Sequence, residues 1–165
     1  GEVMGMDMSF GSAIVKSHIS AGNGLPQRGN VFISLSTHDK TERAVDIARG
    51  YVELGFTLLA TRGTASFLQQ HGLQATEVLK HYEGRPSIID GIANGDVDLV
   101  INTPLGENAR YDEYIMGQTA MKYKVPFFTT LAAADASLAG IRAQRTETFT
   151  SVSLQEHYAQ DAAGN

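Results

Sequence analysis

Short runs of apolar and β-branched residues alternate with amphipathic helical stretches from Val31 to Arg145, and few folds accommodate that alternation. Val31–Ser36, Phe56–Thr61, Gln74–Leu79, Leu99–Thr103 and Pro126–Thr130 read as strands. Between them, Lys40–Leu54, Thr64–His71, Ile88–Ala93 and Tyr111–Tyr123 read as helices, and the alanine content of Ala132–Arg145 predicts another. Gly55, Gly72 and Gly95 stand where helices stop, and Pro104 ends the most apolar strand. Strands joined through helices require crossover connections, which lay the strands parallel and put helices on both faces. The expected fold is therefore α/β, with a Rossmann-like, doubly wound, mostly parallel sheet of about five strands flanked by helices. A last segment, Thr150–Leu154, reads as an edge strand.

Ahead of the alternating region, Phe10, Ala13, Ile14, Val15 and Ile19 recur at loosely helical spacing over Ser9–Ala21, and Gly22–Gly29 reads as a linker. Gly1–Asp7 has the character of mid-chain sequence, as expected of a piece of a longer protein. With 165 residues, 42% hydrophobic and 19% charged, one compact domain with tails is expected. The formal charge is −5 and no Lys/Arg run occurs, so a nucleic-acid partner is not expected. There is no cysteine, which excludes disulfides and thiolate metal sites and suits a cytoplasmic location. No stretch approaches the roughly 18 uncharged apolar residues of a membrane helix.

In sheets of this kind ligands bind beyond the carboxyl ends of the strands. Those ends deliver Ser36-Thr37-His38-Asp39-Lys40, Thr61-Arg62-Gly63-Thr64, Lys80 to Pro86, and Asn102-Thr103-Pro104. Thr61–Thr64 opens a helix whose first N–H groups lack internal partners, and Gly63 lets an anion approach the backbone while the two hydroxyls add donors. Lys40 and Lys80 could neutralise a phosphate there, and the Asn102 amide could read a base or ribose edge. The same turn also makes an ordinary N-cap with a turn glycine, and taken alone it does not choose between the two.

Other chemistry has less support. The five histidines sit in separate elements without i, i+4 pairing, so no metal site is expected. Asp90 and Asp112 are candidate paired carboxylates for acid-base work, and no serine has a nucleophile-elbow context.

From Val31 to Ile141 the sequence resembles the methylglyoxal-synthase-like domain that ends carbamoyl-phosphate synthase large chains. The resemblance rests on Asp39-Lys40, Gly55-Phe56 leading to Thr61-x-Gly63-Thr64, Lys80-x-x-Glu83-Gly84-Arg85-Pro86 with Ile89-Asp90, Ile101-Asn102-Thr103, and Thr129-Thr130-Leu131. It implies residues 1–29 as the tail of a preceding ATP-grasp domain with a connecting helix and linker, 30–160 as the regulatory domain, and 161–165 as a tail. It also implies that the domain binds a uridine or inosine monophosphate and thereby regulates carbamoyl phosphate synthesis for pyrimidines and arginine. In the family, residues matching Lys40, Thr61, Gly63, Thr64, Lys80 and Asn102 hold the nucleotide. A second effector, ornithine, is contacted through a tyrosine and a threonine. Thr129 matches that threonine, Phe127 replaces the tyrosine, and Gly117-Gln118 replaces two adjacent arginines of the family.

The resemblance further implies partners and cofactors outside this domain: the rest of the large chain, its glutaminase small subunit, and ATP, Mg or Mn and K in the parent enzyme. The domain itself is expected to hold no cofactor, and homo-oligomers are a further expectation. Methylglyoxal synthase, a lyase acting on dihydroxyacetone phosphate, is the related enzyme. Arg85 stands where its catalytic aspartate would be and Ala109 where its histidine would be, with only Asp112 retained. The cyclohydrolase domain of purine synthesis, which shares fewer of these motifs, ranks third.

Overall fold

The computed structural model describes residues 24–104 and 110–163. Its five strands are β1 (Asn30–Ser34), β2 (Thr57–Ala60), β3 (Ala75–Glu77), β4 (Leu99–Asn102) and β5 (Phe127–Phe128). The helices are α1 (Glu42–Glu53), α2 (Arg62–Gln70), α3 (Ile88–Ala93), α4 (Arg110–Lys122) and α5 (Leu131–Ala163). All strand pairs are parallel, in the order β3-β2-β1-β4-β5. The doubly wound α/β expectation therefore holds, and the mostly parallel sheet is wholly parallel.

Alternation along the strands builds two cores. Val31 and Ile33 of β1, Leu58 and Ala60 of β2, and Leu99 and Ile101 of β4 point to one face, where α1, α2 and α5 supply Ala48, Tyr51, Leu68, Leu138 and Ile141. Phe32 and Val100 point to the other, against Ile88 and Ile92 of α3 and Met116 and Ala120 of α4. Because both faces of β1 and β4 are covered, these strands read as unbroken apolar runs. Each fully buried aliphatic side chain contributes roughly 1.5–3 kcal/mol relative to exposure. Tyr51, fully buried, places its ring edge-on to Phe56 with centroids 5.5 Å apart. Its hydroxyl bonds Ser137 Oγ and the Ala134 carbonyl, and burial pushes the phenol well above its usual range.

Local signals set the boundaries. Thr41 Oγ1 accepts from the Ala44 N–H and starts α1, while Ser87 Oγ accepts from the Ile89 N–H and starts α3. The expected Gln74–Leu79 strand shortens to Ala75–Glu77 because it lies at the sheet edge, paired on one side only, although Leu79 still bridges to Ser87.

Thr150–Leu154 corrects the sequence reading: it is helical, continuing α5, and not an edge strand. No Gly or Pro occurs from Ile141 to Ala163, and extending a helix already nucleated at Leu131 fixes one residue per added bond. The expected helix over Ser9–Ala21 lies outside the described residues. Leu25, within the expected linker, is buried in the larger core, and the Gln27 carbonyl accepts from Arg145. No helix among the described residues is long and apolar enough to cross a membrane.

Candidate functional site

From β1 the chain winds through β2 to β3, then returns to the other side of β1 for β4 and β5. The loops leaving β1 and β4 therefore run apart and open a crevice beyond their carboxyl ends. Ser34 and Asn102 are register partners at those two ends, and each is only 2% exposed.

Thr61 holds the N-cap position of α2 in extended conformation, yet its side chain caps no N–H. Its hydroxyl instead lies 3.3 Å from both Ser34 Oγ and Thr64 Oγ1. Thr64 Oγ1 in turn accepts from the Leu35 N–H at 3.0 Å. The two hydroxyls thus tie the first turn of α2 to the end of β1. An ordinary cap would commit the threonine to a helix donor, whereas here the first bond of α2 is from the Ala65 N–H to the Thr61 carbonyl, at 2.7 Å. The N–H groups of the turn before it are left for a ligand, at the positive end of the helix.

A short 3-10 turn, Thr37–Asp39, brings Lys40 to this helix start. Ser36 Oγ accepts from the Asp39 N–H and donates to its carboxylate at 2.8 Å. The turn is anchored to β4, because the Ser36 N–H donates to Thr103 Oγ1 and the Thr103 N–H to the Ser34 carbonyl, both at 2.9 Å. Lys40 Nζ then lies 3.1 Å from the point where a β-carbon on Gly63 would stand. The ammonium is held across the glycine, at the uncapped end of α2.

Asn102 supplies the remaining donor. Its Nδ2 is buried without a hydrogen-bond partner among the described residues, a condition costing about 1–3 kcal/mol that native structures rarely leave unused. Lys40, Thr61, Gly63, Thr64 and Asn102 therefore gather around the ends of β1, β2 and β4 as a set of donors. Such a set suits an anion with a polar appendage.

Lys80 sits differently. It follows β3 at the sheet edge, where Glu83 accepts from its N–H at 2.7 Å and its ammonium lies 3.4 Å from the Tyr82 hydroxyl. Among the described contacts none joins Lys80 to the Thr61–Thr64 turn. Thr129 and Phe127 lie at the opposite edge, where Thr130 starts α5 by accepting from the Ala133 N–H. Residues 105–109, between Pro104 and α4, lie outside the described residues.

Asp90 does not join Asp112. Its carboxylate accepts from Arg85 Nη2 at 2.7 Å and from the Ser87 N–H at 2.8 Å. The Arg85 guanidinium, followed by the Ser87 N–H, lowers the Asp90 carboxyl to about 2, which unsuits it as a base near neutrality. No group of three metal-ligating side chains occurs among the described residues. Ser34 escapes a reading from sequence alone, since a hydroxyl closing an apolar strand resembles any strand end, and the bond between Ser36 and Thr103, both at the rim read from sequence, is visible only in the structure.

Residues 43–129, over half of the chain, match the family model of the MGS-like domain. The chain is 45% identical over 158 residues to the carbamoyl phosphate synthase large chain of Archaeoglobus fulgidus, covering 96% of this chain and 15% of that one. It is 44% identical over 157 residues to the corresponding protein of Nostoc sp., covering 95% and 14%. The carbamoyl phosphate synthase large chain, C-terminal section, of Methanopyrus kandleri is 49% identical over 142 residues, covering 86% and 26%. The chain thus spans about a seventh of the first two relatives' length and about a quarter of the third's.

Proposed function

Since the chain belongs to the MGS-like domain family and is the MGS-like part of a carbamoyl phosphate synthase large chain, we propose that it is that chain's effector-binding regulatory module. The ligand is a nucleoside monophosphate of the uridine or inosine class. Its phosphate docks at the start of α2, neutralised by Lys40 and held by Thr61, Thr64 and the backbone at Gly63. Asn102 reads the ribose or base, and Lys80 closes on the ligand from the β3 edge.

The observation that carries this reading is the pairing of an uncapped helix start under the Lys40 ammonium with an Asn102 amide that has no partner among the described residues. Donors prepared without acceptors are what an anion site leaves in the free state. Binding in the cytoplasm would bias the packing of this domain against the rest of the synthase and so regulate carbamoyl phosphate supply to pyrimidine and arginine synthesis. ATP, its metals and the glutaminase subunit belong to the parent enzyme, outside this domain.

A thermal-shift titration of the chain with uridine monophosphate, inosine monophosphate and inorganic phosphate tests the proposal. A saturable rise in Tm is expected, since a ligand at 100 times its Kd stabilises by about 2.7 kcal/mol. Thr64→Val and Lys40→Ala should each remove the rise. No response to any of the three would overturn the reading.

A further inference from the structure

Helix α4 turns an apolar seam outward. Met116 and Ala120 are buried against the smaller core. At about 100° per residue, the face directly opposite carries Tyr111, Tyr114, Gln118 and Met121, spaced i, i+3, i+7, i+10. Tyr111 is 69%, Tyr114 62% and Met121 71% exposed. The outer face of a surface helix ordinarily carries charge, whereas here the acidic residues Asp112 and Glu113 of the first turn lie off that face and exposed Lys122 and Lys124 stand at the other end. Tyr123, just past the helix, has the Lys122 ammonium 5.4 Å from its ring. An exposed aromatic and methionine seam of this kind marks an interaction surface.

We propose that this seam docks against another region of the same, longer large chain, one presenting an apolar surface with an acidic rim. The inference rests on the reading of the chain as a module of that larger protein. Two arguments select this occupant over a second copy. Two tyrosines and a methionine exposed to this degree offer on the order of 400 Å², against about 800 Å² per partner in a stable complex of free proteins. A tethered neighbour at millimolar effective concentration needs far less area. The chain also covers only 14–15% of its full-length relatives, so most of such a protein lies outside it. At the C-terminal end of the seam, away from Asp112 and Glu113 of the first turn, Lys122 and Lys124 select an acidic complement.

Met121 oxidation by hydrogen peroxide, followed by mass spectrometry, reads the surface directly in this 165-residue chain and in the full large chain that carries it. Oxidation is expected about tenfold slower in the large chain, since sulfoxide formation follows exposure. Tyr114→Lys in the large chain should restore the fast rate, while in the short chain it leaves Tm and helical content unchanged. Equal rates in the two wild-type chains would overturn the proposal. Protection that appears in the short chain on raising its concentration would also overturn it, by assigning the seam to a second copy. The nucleotide-induced Tm shift of the short chain is independent of Tyr114, so a missing shift beside a protected Met121 would remove the effector reading and leave the docking surface standing.

Discussion

The Lys40 ammonium lies 3.1 Å from the position that a β-carbon on Gly63 would take, with no other group from outside the surrounding helical turn within 4 Å of that point. Residue 63 therefore decides how closely a cation can sit over the start of α2. Gly63→Ala should leave the fold intact or raise its stability by up to about 1 kcal/mol, since alanine suits a helix better than glycine. The methyl group should displace Lys40 and narrow the approach to the backbone. The expected result is an unchanged or higher Tm without ligand, together with a nucleotide-induced shift reduced at least severalfold. An undiminished shift would show that the anion binds elsewhere.

Asn102 gives the complementary case. Its buried Nδ2 has no partner among the described residues, and Asn102→Leu replaces the amide with an apolar group of similar volume. Removing an unsatisfied buried donor recovers about 1–3 kcal/mol. The variant is therefore expected to unfold at higher urea than the wild-type chain and to lose the response to nucleotides. A destabilised variant would mean that the amide serves the fold and not a ligand.

How legible these features were in the sequence depends on the range of the forces involved. The alternation Val31, Phe32, Ile33 and Leu99, Val100, Ile101 fixed both cores, because a period of two can be satisfied only by a covered sheet. The Thr61–Thr64 turn was visible through its glycine and hydroxyls. That Thr61 turns away from the helix toward Ser34 was not, since a partner 27 residues distant is chosen by strand register. Thr150–Leu154 was misread for a related reason: β-branched content is a local signal, and the uninterrupted helix before it outweighed that signal. Lys80 illustrates the limit of rim arguments, because following a strand places a residue at one end of the sheet without saying which way its side chain turns.

Asp90 predicts a pH dependence. Its folded carboxyl lies at about 2, below the ordinary value near 4, so the folded state favours the ionised form. The stability it contributes is complete above about pH 4 and is lost as pH falls toward 2. Other carboxylates titrate in the same window, so the measurement is a difference. Urea midpoints of the wild-type chain and Asp90→Asn should converge between pH 5 and about 2.5. Added salt should narrow the gap at pH 5, because Arg85 is largely exposed and its attraction is screened. A constant gap would mean that the Arg85 and Ser87 contacts do not hold in solution.

Two glycines inside helices should respond in opposite directions to alanine. At Gly50 of α1, a β-carbon would collide with Leu138 Cδ2 and stand 3.0 Å from Arg142 Nη2, where α1 packs on α5. Leu138 is 2% exposed and cannot swing into solvent, so overpacking of about 1–3 kcal/mol should exceed the roughly 1 kcal/mol gained in helix propensity. At Gly117 of α4, the nearest atom would be Phe127 Cε1 at 3.6 Å, an ordinary contact. Gly117→Ala should accordingly stabilise by about 0.5–1 kcal/mol. Denaturant midpoints of the two variants therefore fall on opposite sides of the wild-type value. Leu138→Ala introduced beside Gly50→Ala should cost less than the two changes summed, because each relieves the volume error of the other. Additive costs would place the strain at Gly50 in the backbone and not against Leu138.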